Sequence, residues 1–169
     1  MGVSVYQKCE TWWCPLANHV LGYLAEFTLV QDWCAPADYY RTWWNFDRFY
    51  KNNLFLTNVN NENEDFKNPL FKERLTAVKN FGLFLWMQDE TVAPKESEWF
   101  GFWDDRRDIR LMKGQQGYLE DWIGLKTLYE SGRMFFYAGP GGHMHLTQPM
   151  IRDMLAPLLL NATPLPSEY

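Results

Sequence analysis

Two short, uninterrupted apolar runs with an amphipathic stretch between them mark this chain as an α/β protein with a parallel sheet. The first run is Phe81-Gly82-Leu83-Phe84-Leu85-Trp86-Met87, bounded by Asn80 and by Gln88-Asp89-Glu90. The second, Met134-Phe135-Phe136-Tyr137-Ala138, ends in the turn Gly139-Pro140-Gly141-Gly142. Neither alternates apolar with polar residues, the pattern of a strand covered on both faces. Leu119–Ser131 between them is amphipathic, and Gly132 is placed as its C-terminal stop. Strand, helix, strand predicts a βαβ unit. Two parallel strands make a poor sheet alone, so the remaining strands are expected upstream of Met1.

The other elements follow from local signals. Residues 15–31 read as a helix, with Leu16, Val20, Leu24 and Phe27 stacking on one face, until Cys34-Ala35-Pro36 breaks it. Residues 46–53 form a short aromatic helix, and the polar stretch Asn58–Asp65 is a solvated loop. Asn68 before Pro69 starts a helix whose buried side is Phe71, Leu75 and Val78. Thr147 caps a last helix, with Met150, Ile151, Met154, Leu155 and Leu158 facing inward, and Pro157 ends or kinks it. No internal repeat stands out.

Composition bounds the function. The chain has 169 residues, enough for one core, and a net charge of -5, which argues against nucleic acid and anionic membrane surfaces as partners. No apolar run approaches the ~20 residues of a spanning helix, so no transmembrane anchor is expected. The N-terminus has neither the basic region nor the apolar stretch of a signal peptide, and Tyr6 stands where N-myristoylation after Gly2 wants Ser or Thr. Aromatic content is 18%, with nine Trp; this fits a core of large side chains, or a groove for an apolar ligand. Of three cysteines, Cys9 and Cys14 could close a short loop and Cys34 is left over. There is no Cys-x-x-Cys pattern, so zinc is not expected, and no other metal or cofactor is implied. Asn161-Ala162-Thr163 is an N-glycosylation sequon, a weak pointer to the secretory route.

In open α/β sheets ligands bind at the carboxyl ends of the strands. Asp89 directly follows the first strand and His143 follows the second, so both fall on one edge of the sheet. An acid and then a histidine at successive strand ends are the second and third members of the Ser…Asp…His order of α/β-hydrolases. The carboxylate holds one imidazole tautomer and stabilises its charged form, while the imidazole moves the nucleophile's proton. The glycine turn lets the backbone hold an exposed side chain at a sharp bend. The bland reading is that Asp89 starts a turn and His143 is a loop histidine. His143 and His145 with Asp89 would be an incomplete metal set, and His19 packs in the first helix or faces water.

The nucleophile is the missing part. Gly2-Val3-Ser4-Val5-Tyr6 puts Tyr where Gly-x-Ser-x-Gly needs its last glycine, and no strand precedes it. Ser97, Ser131 and Ser167 have no such turn, and Cys34 carries no nucleophile signature. The mixed-charge run Asp104–Asp108 reads as a surface loop.

Several segments resemble one family. Gln88-Asp89-Glu90-Thr91-Val92-Ala93-Pro94 followed by Glu96-Ser97-Glu98-Trp99-Phe100-Gly101-Phe102 looks like the acid-bearing segment of palmitoyl-protein thioesterases. Tyr118–Leu128, with Gly132 behind it, resembles the family's next helix, and Gly142-His143 with Leu146-Thr147 its histidine segment. Asn52–Leu56 with Val59-Asn60-Asn61-Glu62, Gln31-Asp32 to Ala35-Pro36, and Cys9 and Cys14 after Gly2-Val3 also have counterparts. The likeness runs from Gly2 to about Leu160 and is most specific between 85 and 146.

The resemblance implies an α/β-hydrolase fold of which this is the C-terminal portion: residues 1–72 the helical insertion shaping an acyl groove, residues 73–169 the last strands and helices of the hydrolase core. It implies Asp89 as the acid that orients His143, His143 as general base, and a Cys9–Cys14 disulfide. The implied reaction is hydrolysis of a long-chain fatty-acyl thioester of a protein cysteine, in the lysosome. The family's signal peptide, oxyanion hole and Gly-x-Ser-x-Gly turn would all precede position 2, so the isolated chain is expected to be inactive. Two other readings stand beside this one. One is an inactive truncated relative that binds an acyl chain or a protein partner. The other is a stand-alone hydrolase using Ser4 or Cys34.

Overall fold

The computed structural model describes Trp12 and residues 14–160. Short helices come first: α1 (Cys14–Ala25), α2 (Thr28–Gln31), α3 (Ala35–Asp38), α4 (Phe46–Asn52), α5 (Leu56–Val59) and α6 (Pro69–Thr76). The single helix expected over 15–31 is two. The break has a local cause: Gln31 Nε2 donates to the Ala25 carbonyl at 2.9 Å, and buried Glu26 pairs with Arg48 Nε at 2.8 Å. The Gln31 amide satisfies a carbonyl at the end of α1 from outside the helix. The expected stripe Leu16, Val20, Leu24 and Phe27 is exposed, not packed inward. Asn58–Asp65 is more ordered than a solvated loop. It holds the end of α5 and a 3₁₀ turn at Glu64–Phe66, and buried Asn61 donates to the carbonyls of Asn68 and Trp122. Asn68 caps α6 as expected, accepting from Leu70 N.

The sheet is the expected parallel pair, β1 (Phe81–Trp86) beside β4 (Met134–Gly139). A two-residue antiparallel hairpin, β2 (Phe102–Trp103) and β3 (Ile109–Arg110), lies in the connection between them. Its turn is the charged run, with Asp104 Oδ1 accepting from the backbone of Arg106 and Asp108. The strands are not equally covered on both faces. Leu83 and Phe136, partners in register, enter the core with Met134, Leu128, Leu125 and Met112. On the other face Phe84 stacks on Tyr137 at 4.9 Å, and both rings stay half-buried.

The helix expected over Leu119–Ser131 is split into α7 (Gln116–Leu119) and α8 (Leu125–Glu130). Asp121 is the cause. Its carboxylate accepts from the backbone of Lys126 and Thr127 and from the Thr127 hydroxyl, so it caps α8 from before its first turn. Lys72 on α6 pairs with the same carboxylate at 2.8 Å. Gly124 precedes α8 with φ +91, where a Cβ would lie 2.3 Å from Thr76 Cγ2. After β4, Thr147 caps α9 (Gln148–Met150), which continues through a wide π turn at Ile151–Leu155 into α10 (Ala156–Leu159). Pro157 does not end the helix but lies inside α10, just after the π turn. The wide turn before it accommodates the N–H that proline lacks. Met150 is buried, but Ile151 is exposed and Met154 and Leu155 are half-buried.

Candidate active site

The register of the parallel pair builds the site. Trp86 and Gly139 are partners, so β1 and β4 end together and both following loops leave from one edge. Met87 N donates to Gly139 O at 2.9 Å and Gln88 N to Gly141 O at 3.1 Å, which carries the pairing past the strands. The Gln88 side-chain oxygen accepts from Gly141 N. Gly141 has φ +104, and a Cβ there would meet the His145 ring at about 3 Å. A side chain at that position is excluded by both the backbone and the space.

These loops bring the two residues singled out from the sequence into contact. His143 Nδ1 and Asp89 Oδ2 are 2.7 Å apart. The Asp89 side chain is fully buried (0% exposed) and that of His143 is 39% exposed. With the proton on Nδ1 donated to Asp89, Nε2 is left with its lone pair, the form a general base needs. The other Asp89 oxygen accepts from Thr91 N at 2.7 Å and Val92 N at 2.9 Å. Burial pushes the Asp89 carboxyl up, but Val92, His143, Thr91 and Glu98 together outweigh it and hold the group below its ordinary value.

Glu98 is the residue that reasoning from the sequence missed. It sits on a 3₁₀ turn, Lys95–Trp99, is 8% exposed, and accepts from Trp86 N at 2.9 Å. Burial drives its carboxyl up to about 7, opposed by the Trp86 N–H and reinforced by Asp89 and Glu96. One signal was available: an acid enclosed by Ser97 and the aromatic stretch Trp99–Trp103.

His143 and Glu98 share a cleft of about 330 Å³ with Tyr39, Leu83, Phe84, Trp86 and Val92. Ser97 lines it too, but is shut from solvent on the 3₁₀ turn and has no strand-to-helix elbow. Ser131 lies at the far end of α8, donating to the Leu128 carbonyl. Cys34 is exposed with a free thiol at the start of α3. Ser4, Ser167, Asn161, Cys9 and the side chain of Cys14 lie outside the described residues, and with them the implied disulfide and sequon. His145 does not join Asp89; its carbonyl accepts from Trp86 Nε1 at 3.1 Å. The polar atoms of Asp89, Glu98 and His143 lie within 4.8 Å of one another. The hydrogen bond between His143 and Asp89 accounts for the closest of these approaches, and no metal is assigned. His19 packs beside Trp44, ring centroids 5.2 Å apart.

A sequence model described as palmitoyl protein thioesterase matches residues 1–143. The chain belongs to this family. It is 34% identical over 151 residues to palmitoyl-protein thioesterase 3 of Dictyostelium discoideum, covering 88% of this chain and 51% of that protein. It is 36% identical over 140 residues to palmitoyl-protein thioesterase 1 of Caenorhabditis elegans, covering 82% and 46%. It also matches lysosomal thioesterase PPT2-B of Xenopus laevis at 29% over 103 residues, covering 61% of this chain and 36% of that protein. The chain therefore spans about half the length of the curated relatives it matches. Family membership implies an α/β-hydrolase, and the mixed α/β structure with small sheets is consistent with that. Among the described residues no helix is long and apolar enough to cross a membrane.

Proposed function

We propose that this chain is the acid- and histidine-bearing part of a palmitoyl-protein thioesterase, which hydrolyses long-chain fatty-acyl thioesters of protein cysteines. The observation that carries the reading is the 2.7 Å contact between His143 Nδ1 and the buried Asp89 carboxylate at adjacent strand ends. The family and the names of its relatives supply the substrate class. In this reading His143 Nε2 takes the proton of a serine hydroxyl as that oxygen attacks the thioester carbon. The cysteine thiol then leaves with a proton from His143, and water, activated the same way, releases the fatty acid. Asp89 orients the imidazole and stabilises its charged form throughout.

The serine and the oxyanion hole are assigned to the half of the family fold that this chain does not span. The chain is read as the C-terminal portion of the hydrolase. Residues 73–169 carry the last strands, and residues 1–72 form a helical insertion that shapes the acyl groove. In support, Tyr39, from the residue after α3, reaches the cleft that His143 lines. Lysosomal or secretory residence is proposed from the relatives named lysosomal thioesterases and from Asn161.

The test is release of palmitate from an S-palmitoyl peptide. The 169-residue chain alone is expected to give none. The chain joined to a family segment bearing Gly-x-Ser-x-Gly is expected to turn over, and His143→Ala to abolish that turnover. Turnover that survives His143→Ala would overturn the reading. Stoichiometric binding of the peptide without hydrolysis in the joined protein would favour a binding module.

A further inference from the structure

We propose that Glu98 is a third member of this site, a positioning residue whose carboxylic acid donates to Asp89 and so fixes the carboxylate that holds His143. The proposal rests on reading Asp89 and His143 as acid and base, and deepens it.

Four observations carry it. First, Glu98 is buried beside Asp89, with polar atoms of Asp89, Glu98 and His143 all within 4.8 Å of one another. Two carboxyl groups this close cannot both be ionised cheaply, so one proton is retained between them. Second, the hydrogen bonds decide which group keeps it. Asp89 accepts from two backbone N–H groups and from His143. Glu98 accepts from one backbone N–H. The anion belongs on Asp89, where donors are most numerous, and the proton belongs on Glu98. Third, a protonated Glu98 has a use for both oxygens: one accepts from Trp86 N, and the hydroxyl is left to donate to Asp89. Fourth, Trp86 is the last residue of β1, and Asp89 N in turn donates to Trp86 O at 3.0 Å. Glu98 therefore holds Asp89 twice, directly and through the strand end from which its turn springs.

The surrounding titratable groups are Asp89 and His143 from the two strand-end loops, and Glu96 and Lys95 from the turn that bears Glu98. Glu96 repels a charge on Glu98. Lys95 Nζ is engaged by the Met87 carbonyl at 3.1 Å. Loss of the Glu98 proton would put a second negative charge beside Asp89. Asp89 would lose a donor at the same moment.

The test follows the His143 ring by nuclear magnetic resonance across pH 5 to 9 in the full chain, and needs no turnover. Failure of the thioesterase reading would leave it intact. Glu98→Gln mimics the neutral acid, since its amide N–H can donate to Asp89 and its carbonyl can accept from Trp86. Glu98→Met keeps the bulk and removes the donor. In Glu98→Gln the Nδ1–H signal of His143 is expected to persist, because the amide keeps the donor to Asp89. In Glu98→Met the Nδ1–H signal is expected to broaden or vanish; if that variant does not fold, Glu98→Gln decides alone. Loss of the Nδ1–H signal in Glu98→Gln, or a persistent Nδ1–H signal in folded Glu98→Met, overturns the proposal.

Discussion

The indole of Trp86 reaches across from the end of β1 and donates to the backbone carbonyl of His145 at 3.1 Å. One side chain on the acid-bearing strand thereby ties down the loop that carries His143. Trp86→Phe keeps most of the apolar contact and removes this bond. The expected loss of stability is about 1–2 kcal/mol. The local signature is more telling: hydrogen exchange should quicken at residues 141–146 well before it does in β4.

The Asp89–His143 pair predicts a tautomer effect. Asp89→Asn leaves an amide where the carboxylate accepted from Nδ1. In the chain joined to a family segment bearing Gly-x-Ser-x-Gly, turnover should drop by about a thousand- to ten-thousand-fold, with little change in substrate affinity. Steady-state kinetics on an S-palmitoyl peptide reads this directly. A fall confined to KM would mean that Asp89 acts on binding instead.

Stability should depend on pH in two windows with opposite slopes. The Glu98 carboxyl is raised from 4.5 to about 7, so between those values the folded chain holds a proton that the unfolded chain has lost. Its contribution is full below pH 4.5 and is lost as pH rises through about 7, up to about 3 kcal/mol. The Asp89 carboxyl is lowered from 3.8, so its contribution is full above that value and fades as pH falls below it. Thermal melts from pH 3 to 9 should show a maximum near the low end of the range. Glu98→Gln should flatten the alkaline slope and leave the acid one.

Two glycines with left-handed backbone should respond differently to alanine. Gly124 has φ +91 and its Cβ position is occupied by Thr76, whereas Gly132 has φ +69 and nothing within 4 Å. Gly132→Ala should cost about 1 kcal/mol from the backbone alone. Gly124→Ala adds the clash between the start of α8 and α6, and should cost about 2–4 kcal/mol. Chemical denaturation of the two variants distinguishes them.

The parts of this molecule that were legible in the sequence are those where one-dimensional spacing and three-dimensional place coincide. Apolar runs mark β1 and β4, and in a parallel pair whatever follows each strand lands on one edge. Asp89 and His143 were readable for that reason. Glu98 was not, because its aromatic neighbours in sequence are the one local hint that this carboxyl is enclosed; its burial comes from the 3₁₀ turn folding back on Trp86. The split between α7 and α8 was hidden for a related reason. The apolar period continues across Asp121 and Gly124, while a side-chain cap and a left-handed residue override it. The outward-facing stripe on α1 shows the reverse error, a period that is present without a surface to cover it among the described residues.

Phe81 N donates to Arg133 O and Met87 N to Gly139 O, so the odd-numbered N–H groups of β1 point towards β4 and those of Gly82, Phe84 and Trp86 point the other way. On that side Glu98 takes the place at Trp86 that a neighbouring strand's carbonyl would occupy. A strand added along this edge can therefore ladder with Gly82 and Phe84 but must stop before Trp86. The sheet is terminated there by a carboxyl group, and the turn bearing Asp89 begins beyond the reach of further strand pairing.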